Sequence, residues 1–142
     1  MTVAECIKIW LGVYEKMDFR ELQTDFIGSN VGSYGIFKSP DRTITPFADG
    51  SHLMKEYYYF SARKSITGDS ERISNAQVLA DLEDWIENKN EKEEYPDLTK
   101  AGKLFCTDIR VENSATITEH SENEAIYQIT IAIEYEKENE TW

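Results

Sequence analysis

Ala125-Ile126-Tyr127-Gln128-Ile129-Thr130-Ile131-Ala132-Ile133-Glu134-Tyr135 alternates along its whole length, and its reading decides the fold. Tyr127, Ile129, Ile131, Ile133 and Tyr135 share one face; Gln128, Thr130, Ala132 and Glu134 share the other. A two-residue period of this kind is a β-strand with one face in a core. The turn Glu119-His120-Ser121-Glu122-Asn123-Glu124 leads into it. Before that turn, Leu104-Phe105-Cys106-Thr107-Asp108-Ile109-Arg110-Val111 reads as a second strand, and Ser114 to Thr118 as a further short one. The chain therefore closes with adjacent antiparallel strands.

Helical spacing appears in two places. Val3, Cys6, Ile7, Trp10, Leu11, Tyr14 and Met17 recur at intervals of three and four, behind a Thr2/Glu5 capping box. This predicts a helix from about Val3 to about Met17. Ile73, Ala76, Leu79, Leu82, Trp85 and Ile86 form the buried stripe of a second helix, from Glu71 to Lys89, with Gly68-Asp69-Ser70 offering caps. The acidic run from Asn88 to Asp97 is the solvated connection that follows it.

The remaining strand signal is His52 to Ile66. Tyr57, Tyr59, Ser61 and Arg63 fall on one side, and Met54, Glu56, Tyr58, Phe60, Ala62 and Lys64 on the other. Aromatic residues on both faces predict a central strand covered on one side and touched by another surface on the second. Upstream, Gly28, Gly32 and Gly35 interleave with Val31, Tyr34, Ile36 and Phe37, which reads as a short irregular strand entering a loop. Ser39 to Gly50, with Pro40, Pro46 and the pair Asp49-Gly50, reads as a long extended connection. Together these elements predict one α+β domain over residues 1–142, a mixed or antiparallel sheet with two main helices packed on it. Glu136 to Trp142 reads as a frayed tail, with Trp142 a candidate for docking on a neighbour.

Composition narrows function. The 142 residues are 40% hydrophobic, with three Trp, eight Tyr and six Phe, enough for a single core. A formal net charge of −12 repels phosphate backbones, so nucleic acid gripped by a basic patch is excluded. The opening Met1-Thr2-Val3-Ala4-Glu5 lacks a basic stretch before an apolar run, so no signal peptide is expected, and the apolar stretches fall short of a membrane helix. Cys6 and Cys106 sit in apolar patterns without CxxC spacing and read as buried free thiols.

Catalytic and ligand signatures are lacking as well. The glycines form neither GxxxxGK[ST] nor GxGxxG. His52 and His120 lie in polar, turn-like contexts with no zinc-ligand spacing around them. Most carboxylates sit in charged runs, where nothing raises a pKa for acid–base work. Glu56 and Asp108, each inside an apolar strand, are the exceptions, and both read as solvent-side or subunit-contact residues.

Certain residues in this order carry a likeness. Asp25-Phe26-Ile27-Gly28 with Ser33-Tyr34-Gly35-Ile36 comes first, then Lys55-Glu56-Tyr57-Tyr58-Tyr59-Phe60. Leu82-Glu83-Asp84-Trp85-Ile86-Glu87-Asn88-Lys89-Asn90, Tyr95-Pro96-Asp97-Leu98, and Tyr127-Gln128-Ile129 with Tyr135 follow. From about Phe26 to Glu138 the chain resembles the phage tail terminator family, whose members in phages of Gram-positive bacteria are often labelled minor capsid proteins. The resemblance implies a small α+β fold that assembles into a ring, hexameric in the well-known members. That ring caps the finished tail tube and offers a surface to the head connector. It implies as partners further copies of the chain, the tail tube protein and a head-completion or connector protein, with DNA passing through the lumen unbound. It implies no enzyme: no catalytic residue, cofactor or metal site is carried over. The place implied is the host cytoplasm during assembly and then the head–tail junction of the virion.

The residues agree with that role. A lumen rich in Asp and Glu does not hold phosphates, and ring subunits meet through two different patches of one chain. Asp41, Arg42 and Phe47 in the Pro-bounded connection, Tyr57 and Tyr59 on the aromatic strand, and Trp142 are the candidate contacts with a neighbouring subunit or the tail. Two rivals stand beside this reading. Another head-completion or minor capsid protein would share the acidity and the fold. A small cytoplasmic binding module or enzyme would show a concave pocket with converging polar groups.

Overall fold

The computed structural model describes residues 1–19 and 22–139. Its elements are helix α1 (Val3–Leu11), strands β1 (Leu22–Thr24), β2 (Tyr34–Pro46) and β3 (His52–Ser65), helix α2 (Asp69–Glu91), a 3-10 turn (Thr99–Ala101), and strands β4 (Leu104–His120) and β5 (Glu124–Lys137). The described strands form one mixed sheet in the order β1-β2-β3-β5-β4. β1 runs parallel to β2, and every other pairing is antiparallel. The fold is a single compact α+β domain.

β3 is the central strand, as the sequence predicts, and β5 lies between it and β4. Met54, Glu56, Tyr58, Phe60 and Ala62 of β3 lie opposite Tyr135, Ile133, Ile131, Ile129 and Tyr127. Cross-strand partners share a face, so one register sets the whole inner face. Ile129, Ile131 and Ile133 are fully buried there, each contributing roughly 1.5–3 kcal/mol of side-chain burial. Both helices cover this same face. The Trp10 and Trp85 rings meet at 4.9 Å, Tyr14 stands 5.2 Å from Trp85, and Phe19 packs edge-on against Phe60 at 5.5 Å.

The Thr2 hydroxyl accepts the Glu5 amide and Glu5 accepts the Thr2 amide, each at 3.2 Å, so the capping box starts α1 as the sequence predicts. The helix ends at Leu11 instead of Met17, because Gly12 is a poor helix former. Tyr14 and Met17 are buried all the same, since the irregular segment after Gly12 folds back onto the core. In α2 the buried stripe is Leu79, Leu82 and Ile86, flanked by half-buried Val78 and Trp85. Ile73, assigned to that stripe from sequence, is 64% exposed, and Ala76 is exposed too. The first turns of α2 bury no apolar stripe and are tied to the end of β3 by Asn75, which donates to the Ser65 carbonyl at 2.8 Å.

Two strand assignments change. The extended connection expected over Ser39 to Gly50 is mostly strand: β2 continues to Pro46, with a register shift between Lys38 and Arg42 around Pro40. β1 covers β2 only at Tyr34, Gly35 and Ile36. Beyond that point β2 is an outer strand, where a proline deprives no neighbour of a hydrogen bond. The true turn is short, closed by the Phe47 amide on the Ser51 carbonyl at 2.8 Å, with Gly50 at φ +90°. Leu104 to Val111 and Ser114 to Thr118, read as separate strands, are one strand, β4, with four register shifts along β5. Each shift breaks the two-residue alternation, which is why the sequence looked divided.

Candidate functional site

The inner face and its helices leave the other face of the sheet without a second layer among the described residues. Lys55, Tyr57, Tyr59, Ser61 and Arg63 of β3 face it, opposite Glu134, Ala132, Thr130, Gln128 and Ile126 of β5, with Phe37 of β2 beside Tyr59. Ala132, Ser61 and Thr130 form a floor that is almost inaccessible, while Tyr57, Tyr59 and Phe37 stand half-exposed above it. Lys55 lies 5.7 Å over the Tyr57 ring, and the Tyr59 hydroxyl reaches Ser39 Oγ at 3.3 Å. At one end, Arg63 donates to the Gly28 carbonyl at 2.8 Å and pairs with Glu124 at 2.9 Å. Ile27, Phe37, Tyr59, Arg63 and Ile126 line a shallow cleft of about 320 Å³ there. Small floor residues walled by aromatic rings suit packing against another protein surface better than enclosing a small molecule.

The candidate contacts fall on this hairpin but not in one patch. Tyr57 and Tyr59 share the open face. Arg42 lies opposite Glu56 in register, which places it on the helix side. Asp41 is exposed in the β2 bulge, its amide donating to Ser39 Oγ at 3.2 Å. Phe47, 42% exposed, opens the hairpin turn. Trp142 lies outside the described residues.

Glu56 is the largest correction. Read from sequence as a solvent-side or contact residue, it is 2% exposed on the inner face. Its Oε1 accepts the Tyr135 hydroxyl at 2.8 Å and the Tyr58 hydroxyl at 3.3 Å, and Oε2 pairs with Lys38 Nζ at 2.9 Å. Burial and the adjacent carboxylate push both phenols well above the usual tyrosine range. The strand's own alternation carried the signal, since Glu56 shares parity with Met54, Tyr58 and Phe60, and the tyrosines are the donors a buried carboxylate requires. Asp108 is half-buried, accepting Asn90 Nδ2 at 3.2 Å and lying 3.6 Å from Arg110. It ties β4 to α2.

Neither thiol is set up as a nucleophile. Burial pushes Cys106 up to about 12 and raises Cys6 as well, so both stay protonated near neutrality. Among the described residues, no group of three or more His, Cys, Asp and Glu side chains is placed to hold a metal ion. No helix among them is long and apolar enough to cross a membrane. Compared with known protein families, curated proteins and solved structures, the chain matches none.

Proposed function

We propose that the chain is a structural phage protein of tail-terminator type: a ring subunit that caps the tail tube at the head–tail junction, joins it to the head connector and catalyses nothing. The observation that carries the reading is the open sheet face. A two-layer domain that places Tyr57, Tyr59 and Phe37 on its uncovered side, over a floor of Ser61, Thr130, Ala132 and Ile126, is shaped to pack against other copies or the tail. The ordered motifs from Asp25 to Tyr135 and the net charge of −12, suited to a lumen through which DNA slides, support it. In this reading the partners are further copies, six to a ring in the manner of the family, the tail tube protein and the connector, met in the host cytoplasm and retained in the virion.

Deleting the gene from its phage or prophage tests the proposal. Filled heads beside unattached or overlong tails are the expected result. Normal virions would overturn it, and tails of normal length beside heads that leak DNA would instead assign the chain to head completion.

A further inference from the structure

The outer edge of β4 is held by side chains of α2. Glu87 Oε1 accepts the Val111 amide at 2.7 Å, and Asn90 Oδ1 accepts the Ile109 amide at 3.1 Å. Glu87 and Asn90 are three residues apart on one helix, so they project from the same side. Ile109 and Val111 are alternate residues on a strand whose other side is bonded to β5. Their amides are therefore the ones that a further strand would take. Asn90 also donates to Asp108 Oδ1, which fixes its carbonyl oxygen toward the strand.

The other free edges are blunted by different means. β4 past Val111 shifts register three times, β2 past Ile36 carries Pro40 and Pro46, and β1 is three residues long. Bulges, prolines and short strands are all devices against edge-to-edge pairing. The stretch Asp108 to Val111, between the shifts at Cys106/Asp108 and Val111/Asn113, keeps a regular register, and there Glu87 and Asn90 occupy the edge.

We propose that Glu87 and Asn90 stand in for a neighbouring strand and keep β4 from pairing with β4 of a second copy. The second copy is the occupant the geometry favours. With the two side chains removed, residues 109 and 111 present outward amides and carbonyls on either side of Arg110. That pattern is self-complementary: residue 109 of one antiparallel strand bonds residue 111 of the other about a two-fold axis. The guard thus biases association away from sheet edges, whether or not the ring reading holds.

Hydrogen exchange and sedimentation of the full chain carrying Glu87→Ala and Asn90→Ala test this. In dilute solution the Ile109 and Val111 amides should exchange about tenfold faster than in the wild type, the loss of one charge-assisted or ordinary hydrogen bond each, while Ile131 in β5 is unchanged. As concentration rises, the variant should regain protection at both amides and gain mass beyond the wild type at the same concentration. Glu87→Gln, which keeps the acceptor oxygen, should behave as wild type. Wild-type exchange at both amides, or faster exchange with no added association at any concentration, overturns the proposal. Should the double variant fail to fold, Glu87→Ala and Asn90→Ala read separately, at Val111 and Ile109 respectively. A single variant that exchanges like wild type, or does not associate further when concentrated, has the same overturning force.

Discussion

Replacing Glu56 by Ala removes the acceptor of three donors at once. The Tyr58 and Tyr135 hydroxyls lose their shared oxygen, and Lys38 loses its counter-charge. Lys38 is 48% exposed and can turn to water, so its share is small, about 1 kcal/mol or less. The phenols cannot turn to water: Tyr58 is 1% and Tyr135 5% exposed. Leaving each without an acceptor costs about 1–3 kcal/mol, and the cavity left by the shortened side chain adds to it. A loss of about 3–5 kcal/mol follows from the two orphaned hydroxyls and the cavity together. Glu56→Met, which refills the volume, should lose less. Lys38→Met should cost more than the loss of a surface ion pair, because it leaves the Glu56 carboxylate, 2% exposed, without its counter-charge. Equilibrium urea unfolding gives the comparison, with an unchanged dependence on denaturant confirming that the same surface is exposed. If Glu56→Ala costs under about 1 kcal/mol, as an exposed carboxylate would, water reaches the two hydroxyls and the buried network is refuted.

Ile131→Ala should cost about 2–5 kcal/mol, since a fully buried residue of an inner strand leaves a cavity its neighbours cannot close. Glu93→Ala, on an exposed residue already at φ +57°, should be nearly silent in the same urea melts; equal shifts would invert the assignment of inside and outside. Tyr58 and Tyr135 hold their protons more tightly folded than unfolded. Their contribution is complete below the unfolded tyrosine value near about pH 10 and declines as pH rises above it, by up to about 1.4 kcal/mol per pH unit for each group. Urea midpoints at pH 9 and pH 11 check the sign, and Tyr58→Phe with Tyr135→Phe should flatten the slope. Tyr57→Lys, on the open face, should leave the urea midpoint within about 0.5 kcal/mol of wild type yet abolish complementation of the gene deletion; full complementation would remove the open face from the proposed interface.

β5, β3 and α2 were legible from sequence because each repeats its period over two or more turns or several strand pairs, and burial of one face is a local consequence of that period. The Thr2/Glu5 cap was legible for the same reason: its chemistry closes within a few residues. The open aromatic face was half legible, in that Tyr57 and Tyr59 alternate with Tyr58 and Phe60. That no second layer covers it among the described residues is a matter of where both helices land.

Tertiary structure decided the rest. Pro40 and Pro46 look like loop residues until β2 is known to be an outer strand there, where a missing amide costs nothing. Cys106 to Glu119 looks like two strands until β5 is seen to hold one bulged strand in line. Glu56 looks like a surface acid until Tyr135, seventy-nine residues away, is brought 2.8 Å from it. Glu87 reads as part of the polar face of a helix and Asn90 as part of the connection after it, and only the docking of α2 beside β4 turns them into partners for Ile109 and Val111. The sequence by itself determined which segments are strands or helices and which of their faces seek burial, because those preferences act over neighbouring residues. It left open which edges are free, which polar groups are buried together and which face stays bare, because these depend on contacts between segments far apart in the chain, which only the packed molecule selects.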